Sequence, residues 1–437
     1  MFSRLLLVKS GSIPAPPLQI AASGSSVSSG SGAITLPAHL AISASGASIS
    51  AGSGAISLKA TDGFTQKIEW ASSAGKLVMS GYRNNGGNRV GPSICTSTDG
   101  INWTIAASDP WFVQSIVNGG FAWSPTLNLW IALSNTVNDN SLMTSPDGST
   151  WTKRTVTGPP ASDFFNFGGC AWSSTAGRFV AIGGVNPSTD GTGPAFYSSD
   201  GTSWTEASDN PGPVLINHQY WSSSDSVSNV GHTVAWCDTL GFFVTIADRV
   251  VSGATNRIST SPDGDVWTDR STPWDYNGSF DSSSFQGMWS GMCITWAHDL
   301  GLIVAGSGGS HSGADHRYSV MTSTDAVTWN QYDPSSGAGN WTFSSIAWAP
   351  SPINLLVAVG SFGGSSFIAT SPNGSTWTTR SIPWSNGVVH DVVWADTLGM
   401  LLVTGYDYNG FNQGTNTLLT STDGINWTSR HTPFDRS

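Results

Sequence analysis

The sequence predicts an all-β fold: a seven-bladed β-propeller with four-stranded antiparallel blades, preceded by a small Ser/Gly-rich β-repeat segment. Three observations lead there. The pattern Ser-x-[Asp/Asn]-[Gly/Ala]-x-x-Trp occurs seven times, at residues 97–103, 145–151, 198–204, 261–267, 323–329, 371–377 and 421–427. A second tryptophan stands upstream of each copy, at Trp70, Trp123, Trp172, Trp236, Trp296, Trp348 and Trp394. The 437 residues include 51 Gly and 21 Trp, whereas Glu occurs only at Glu69 and Glu206, a usage that disfavours helices and suits short strands joined by polar turns.

Each upstream tryptophan opens two apolar runs split by a tight turn, as in Trp394-Ala-Asp-Thr-Leu-Gly-Met-Leu-Leu-Val-Thr-Gly405. A variable loop follows, then a run ending Thr-Ser, the Asp turn and the second tryptophan. One unit therefore reads as strands a, b, c and d of one blade, at about 53 residues per unit from Gly63 onward. Closing seven such sheets into a ring leaves only short exposed edges.

The repeated turn has a local physical cause. The carboxylate of Asp147 accepts from backbone N–H groups just ahead of it, Gly148 supplies positive φ, and Ser145 closes the turn from the other side. Trp151 then packs between neighbouring blades. Asp99, Asp147, Asp200, Asp263, Asp325, Asn373 and Asp423 hold the equivalent position. Asn373 lacks the charge and Ala326 stands where the other copies have glycine, so these two turns should be weaker, the second by about 1 kcal/mol if it keeps positive φ.

These seven segments resemble the Asp-box, or BNR, repeats of sialidase-like β-propellers, and the resemblance covers Gly63 to the C-terminus. It implies a fold and not an activity, because the box is a structural turn in families of unrelated function. A sialidase would also carry an arginine triad, a Tyr nucleophile assisted by Glu, and an Asp acid/base. The Phe/Tyr-Arg-Ile-Pro segment that usually brings the first arginine is missing, and neither Glu69 nor Glu206 has a recognisable Tyr partner.

Residues 1–62 differ in composition from the propeller, residues 63–437. Residues 18–36 recur 22 residues later as residues 40–58, with Ile34 and Leu36 matched by Ile56 and Leu58 in a Ser/Gly/Ala background. Such short strands cannot bury a core alone, so the segment must pair with something. It resembles, in composition, the attachment segments of bacteriophage fibres and virion appendages.

Charge and leader set further bounds. Seventeen Lys and Arg against 28 Asp and Glu give a net charge of −11, which argues against a nucleic-acid partner. No apolar run approaches the roughly 18 residues of a membrane span, so no membrane insertion is expected. The apolar stretch near the N-terminus is shorter than the ~7 to 15 residues of a signal peptide. The cysteines Cys95, Cys170, Cys237 and Cys293 are scattered singly and read as small buried residues rather than a disulfide framework.

In an up-and-down blade the a–b and c–d turns share one rim, and the b–c and d–a loops share the other. The first set is short and uniform, so its rim reads as scaffold. Length variation falls on the second, where the Trp204–Trp236 and Trp267–Trp296 spacings reach 32 and 29 residues. Seven tryptophans outside both series are Trp111, Trp130, Trp221, Trp274, Trp289, Trp341 and Trp384. Trp130 reads as core, and the recurring Pro-Trp or Pro-Phe at Trp111, Trp274, Trp384 and Phe434 as packing between blades. The candidate ligand-binding residues of the long-loop rim are Tyr82, Arg83, Tyr220, Trp221, Trp274, Asp275, Tyr276, Trp289, Trp341, Tyr406 and Tyr408. Aromatic faces beside carboxylates and amides suit a sugar, whose C–H faces stack while its hydroxyls hydrogen-bond.

Metal and catalytic signals are weak. Asp275-Tyr-Asn277-Gly278 and Asp407-Tyr-Asn409-Gly410 lack the spacing of a calcium loop, and His311, Asp315 and His316 read as a polar loop. The expectation is no metal, no cofactor and no catalytic residue, and a virion appendage or adhesin that recognises a host surface glycan. Its residues 1–62 would dock to a capsid or tail protein and support a homo-oligomer, and its location would be the virion surface. The alternatives are a glycan hydrolase with paired carboxylates among Asp163, Asp248, Asp275, Asp315 and Asp407, and an intracellular protein-docking assembly factor.

Overall fold

A computed structural model describes residues 62–85, 88–90, 94–107, 117–134, 141–156, 166–184, 194–209, 233–246, 258–273, 293–306, 319–334, 341–362, 365–384, 386–407 and 417–434. The paired repeats of residues 1–61 lie outside them. The described strands form seven antiparallel sheets, each a run of consecutive strands in the order a-b-c-d. Blade 1 comprises Asp62–Ala71, Lys76–Asn85, Ile94–Ser97 and Thr104–Ile105, with Asn88–Val90 extending its b-strand hairpin. Blade 6 is Trp341–Ala349, Leu355–Phe362, Ser365–Ser371 and Thr378–Arg380, and blade 7 is Gly387–Ala395, Met400–Asp407, Leu418–Ser421 and Thr428–Arg430.

Two turns per blade reverse the chain, and each needs one residue with positive φ. In the a–b turns that residue is Gly in five blades and Asn in two, Asn128 and Asn354. Asn is the L residue that best tolerates this region, because its short amide compensates locally. The c–d turns are built as the sequence predicts. In blade 1, Ser97 Oγ accepts from Asp99 N and Gly100 N, while Asp99 Oδ1 accepts from Ile101 N at 2.8 Å and Asn102 N at 2.7 Å. The same bonds recur around Asp147, Asp200, Asp263, Asp325, Asn373 and Asp423. Ala326 keeps the positive φ, at 60°.

The d-strand tryptophan that ends each turn works as a wedge. Trp151 joins a cluster with Val78 and Ile94 of blade 1 and Phe121 and Trp130 of blade 2. Trp204, Trp267, Trp329, Trp377 and Trp427 stand likewise against the blade before them. Five of these indoles also donate Nε1–H to the turn carbonyl three residues back, at 2.9–3.2 Å. Each apolar cluster is thus an interface between two blades, and burying one indole removes about 150–250 Å² from water, worth about 5 kcal/mol. Trp130 is fully buried, and Trp384 and Phe434 fill the interfaces before and after blade 7, as their positions predict.

Among the described residues no strand is shared between the first and last blades, and side chains join them. Thr65 Oγ1 accepts from Gly405 N at 2.8 Å, Thr404 Oγ1 donates to the Gln66 carbonyl at 2.6 Å, and Asp391 Oδ2 accepts from Ile68 N at 3.2 Å. Phe434 seals the apolar part of this seam against Ile68, Trp70, Leu77 and Leu418. All four cysteines are buried. Burial pushes the Cys293 thiol up to about 12, so it is not a nucleophile at neutral pH.

Candidate functional site

Blade 6 builds a groove on the long-loop rim. Its b and c strands are joined by two residues, and the hairpin stays paired to its tip, where Phe362 faces Ser365. Strand a is equally long, so Trp341 pairs with Phe362. The ring of Trp341 lies 4.5 Å from Phe367 and 5.9 Å from Phe343, and Phe343 meets Trp377 at 5.7 Å and 64°. Beyond strand d the chain carries Trp384 across the start of blade 7. A Cβ on Gly387 would stand 2.5 Å from Trp384 Cε3, so this position has to be glycine. Val389 N donates to Ser366 Oγ at 3.3 Å and ties blade 7 to the groove wall.

The groove holds about 740 Å³, within the range of small-molecule sites. Aromatic lining comes from Trp341, Phe362, Phe367, Trp377 and Trp384, and polar lining from Ser365, Ser366, Thr378, Thr379, Asn386 and Arg380. Arg380 uses its Nε on Thr370 Oγ1 at 2.9 Å, a bond repeated by Arg154, Arg270 and Arg430 in other blades, so part of its role is to brace strand d. Among the described residues no carboxylate lines the groove. The surface offers flat apolar faces beside hydroxyl, amide and guanidinium groups, which suits a ligand with both C–H faces and hydroxyls.

The expected ligand-binding residues divide into three groups. Trp341 is buried in the aromatic stack, and its remaining surface lines the groove. Tyr406 pairs with Val388 of the groove wall, is half-buried, and packs its ring 5.6 Å from His390. Tyr82 is half-buried, pairs with Phe64 in the first hairpin of blade 1 and is not in the groove lining, and the backbone of Arg83 pairs with Gly63 in the same hairpin. Tyr220, Trp221, Trp274, Asp275, Tyr276, Trp289 and Tyr408 lie outside the described residues. So do Asp163, Asp248 and Asp315, while Asp407 ends strand b of blade 7. Among the described residues no group of three His, Cys, Asp or Glu is placed to hold a metal.

Phe362, Phe367, Ser366 and Asn386 were not anticipated at the site. A signal for them existed: blade 6 has the shortest b–c connection, which leaves Phe362 at a paired hairpin tip and not in a loop. The short-turn rim, expected to be scaffold, carries a second and larger cavity on the propeller axis, described below.

No sequence-family model matches the chain, and no curated protein matches it. Solved structures similar to it include virginiamycin B lyase from Staphylococcus aureus, with a TM-score of 0.47 and 10% identity over 78% of this chain and 91% of that one. The β-propeller domain of Cps50 (Swd1) from Myceliophteria thermophila has a TM-score of 0.46 and 9% identity, covering 79% of this chain and 95% of that one. The RRP9 WD40 repeats have a TM-score of 0.44 and 11% identity, covering 78% and 87%.

Proposed function

We propose that this protein is a non-enzymatic adhesin of the virion-appendage kind: an Asp-box propeller that recognises a host surface glycan on its long-loop rim and docks to a capsid or tail protein through residues 1–62. The observation that carries the reading is the blade 6 groove. It sets Trp341, Trp384 and Phe362 beside Ser366, Asn386 and Arg380 without a carboxylate pair. General acid and base groups of a glycosidase are two carboxyls facing one bond, so this groove is equipped to hold a sugar and not to cleave it. Shallow contacts of this kind give weak single-site affinity, which display of several copies on a particle compensates.

The test uses the full chain with purified bacterial surface polysaccharides. Retention on at least one polysaccharide without release of reducing ends is the expected result. Phe362→Ser and Asn386→Ala should each lower that retention while the melting temperature stays within about 2 °C of wild type, since rim substitutions cost little stability. Release of reducing ends would make the protein a depolymerase, and retention indifferent to both substitutions would place the glycan elsewhere. Loss of virion-protein capture on deletion of residues 1–62 tests the docking half.

A further inference from the structure

The strands nearest the axis carry a second site on the opposite rim. Their seven upstream tryptophans, from Trp70 to Trp394, all line one cavity of about 890 Å³. One residue deeper, Glu69 of blade 1 stands where the other six blades have Ala, Thr or Val. Two residues deeper still, blade 1 has Lys67 and blade 7 has Asp391, while the remaining blades have Gly, Thr, Cys or Ser. Lys67 is 2% exposed and Asp391, Cys293 and Ser345 are 0% exposed, so this layer is buried beneath the cup.

Its chemistry is one-sided. Glu69, Asp238, Asp396 and His298 line the cup, and among the described residues no Lys or Arg does. Glu69 Oε1 accepts from Trp70 N at 3.2 Å, and the residue lines the cup beside that indole. The indoles are held rigidly. Trp70 and Trp296 donate Nε1–H to Asp396 at 2.6 Å and Asp238 at 2.7 Å, each carboxylate belonging to the neighbouring blade. Trp172 and Trp236 are backed edge-to-face by Phe179 at 4.6 Å and Phe243 at 4.7 Å.

We propose that this cup binds a choline-type trimethylammonium group. Indole faces attract a cation through their quadrupole, and an aromatic cage is the usual receptor for quaternary ammonium. A bare ammonium or metal ion would have to give up hydration that an indole wall cannot replace. A trimethylated nitrogen carries no hydrogen-bond donors to satisfy, and Glu69, Asp238 and Asp396 supply negative charge to it. The site is separate from the groove, so either assignment can fail without the other.

The experiment titrates the full-length protein with choline and, in parallel, with its neutral tert-butyl analogue, reading tryptophan emission at constant ionic strength. Choline should bind saturably and the analogue at least about tenfold more weakly, and Glu69→Gln should weaken choline by about tenfold. Equal binding of the analogue, no saturable response to choline, or unchanged affinity in Glu69→Gln overturns the proposal. Should Glu69→Gln fail to fold, the choline comparison on the wild-type chain decides alone. Binding to free choline only assigns a soluble ligand, and additional binding to phosphatidylcholine vesicles assigns a surface-borne headgroup. A trimethyllysine peptide that binds a hundredfold more tightly than choline would overturn the choline assignment.

Discussion

His390 of blade 7 donates its Nδ1 hydrogen to the carbonyl oxygen of Thr65 in blade 1 at 2.6 Å, joining residues 325 positions apart in the chain. The imidazole is buried, and burial pulls it down to about 4. Lys67 acts in the same direction, while the Thr65 carbonyl and Asp391 oppose it. The folded value therefore lies below the unfolded value of about 6.5. As pH falls from about 6.5 towards 4, the unfolded chain takes up a proton that the folded chain refuses, so stability is lost, by roughly 3 kcal/mol in all. Below about pH 4 this contribution levels off. Urea denaturation of wild type and His390→Gln at several pH values between about 7 and 4 checks it: the slope should flatten in the variant, and an equal slope in both would assign it to other groups.

The Asp turns titrate in a lower window. Asp99 is held at about 2, chiefly by the Asn102 backbone N–H, with its side chain and Ile101 N assisting against burial. For Asp423 burial pulls upward, but bonds from Asn426 and Ile425 outweigh it and bring the group to about 2. A depressed carboxyl contributes stability that is present above its unfolded value near 4 and lost as pH falls through 2. Asn373 makes the same contacts without a charge, accepting from Ser375 N and Thr376 N at 3.0 Å each. Replacing it by Asp should therefore add about 0.5–1 kcal/mol at neutral pH, since bonds to a charged acceptor are the stronger ones. The gain should vanish near pH 2, and thermal unfolding at both pH values reads it.

What the sequence revealed and what it hid follow from chain separation. The Asp turn is complete within seven residues, and its tryptophan lands on the preceding blade every time, so one copy read correctly gives all seven. The seam is different: Thr65, Gln66, His390, Asp391 and Thr404 occur once each, in strands more than three hundred residues apart, and no repeat exposes them. Trp341 stood outside both tryptophan series and so looked like a surface residue. It is instead the first residue of a long strand a, roofed by Phe343 and Phe367. The cup was legible in principle, because stacking the seven a-strands in register sets Glu69 against small residues.

Gly264 and Ala326 occupy the same place in successive turns and should respond unequally to exchange. At Gly264, φ is +81° and a Cβ would stand 2.3 Å from Val180 Cγ2 on the preceding blade. Gly264→Ala combines conformational strain with a clash and should cost about 2–4 kcal/mol. Ala326 already bears a Cβ at φ 60° and is fully buried. Ala326→Gly relieves about 1 kcal/mol of strain and gives up about 0.8 kcal/mol of buried methyl, for a net change near zero. Denaturant midpoints of the two variants are the measurement, and equal effects would mean that the turns are not equivalent.

Lys67 is the one long side chain in a layer of small ones, and it is buried there, as are Asp391, Cys293 and Ser345 at the equivalent positions of their blades. Its backbone N–H is held by Ser80 Oγ at 3.1 Å, and Asp391 accepts from Ile68 N and from Val392 N at 3.1 Å. Those bonds persist when the lysine charge is removed, so a substitution there tests the charge and not the local backbone. Lys67→Met keeps the volume but leaves Asp391 as a buried carboxylate without its opposing cation, which should cost about 3–5 kcal/mol. Changing Asp391 to Asn in the same chain keeps its acceptor oxygen for the backbone and removes the orphaned charge. The double variant should therefore be more stable than Lys67→Met alone by at least about 1–2 kcal/mol. If the two single costs simply add, the charges do not interact, and Lys67 fills the axis only by its bulk.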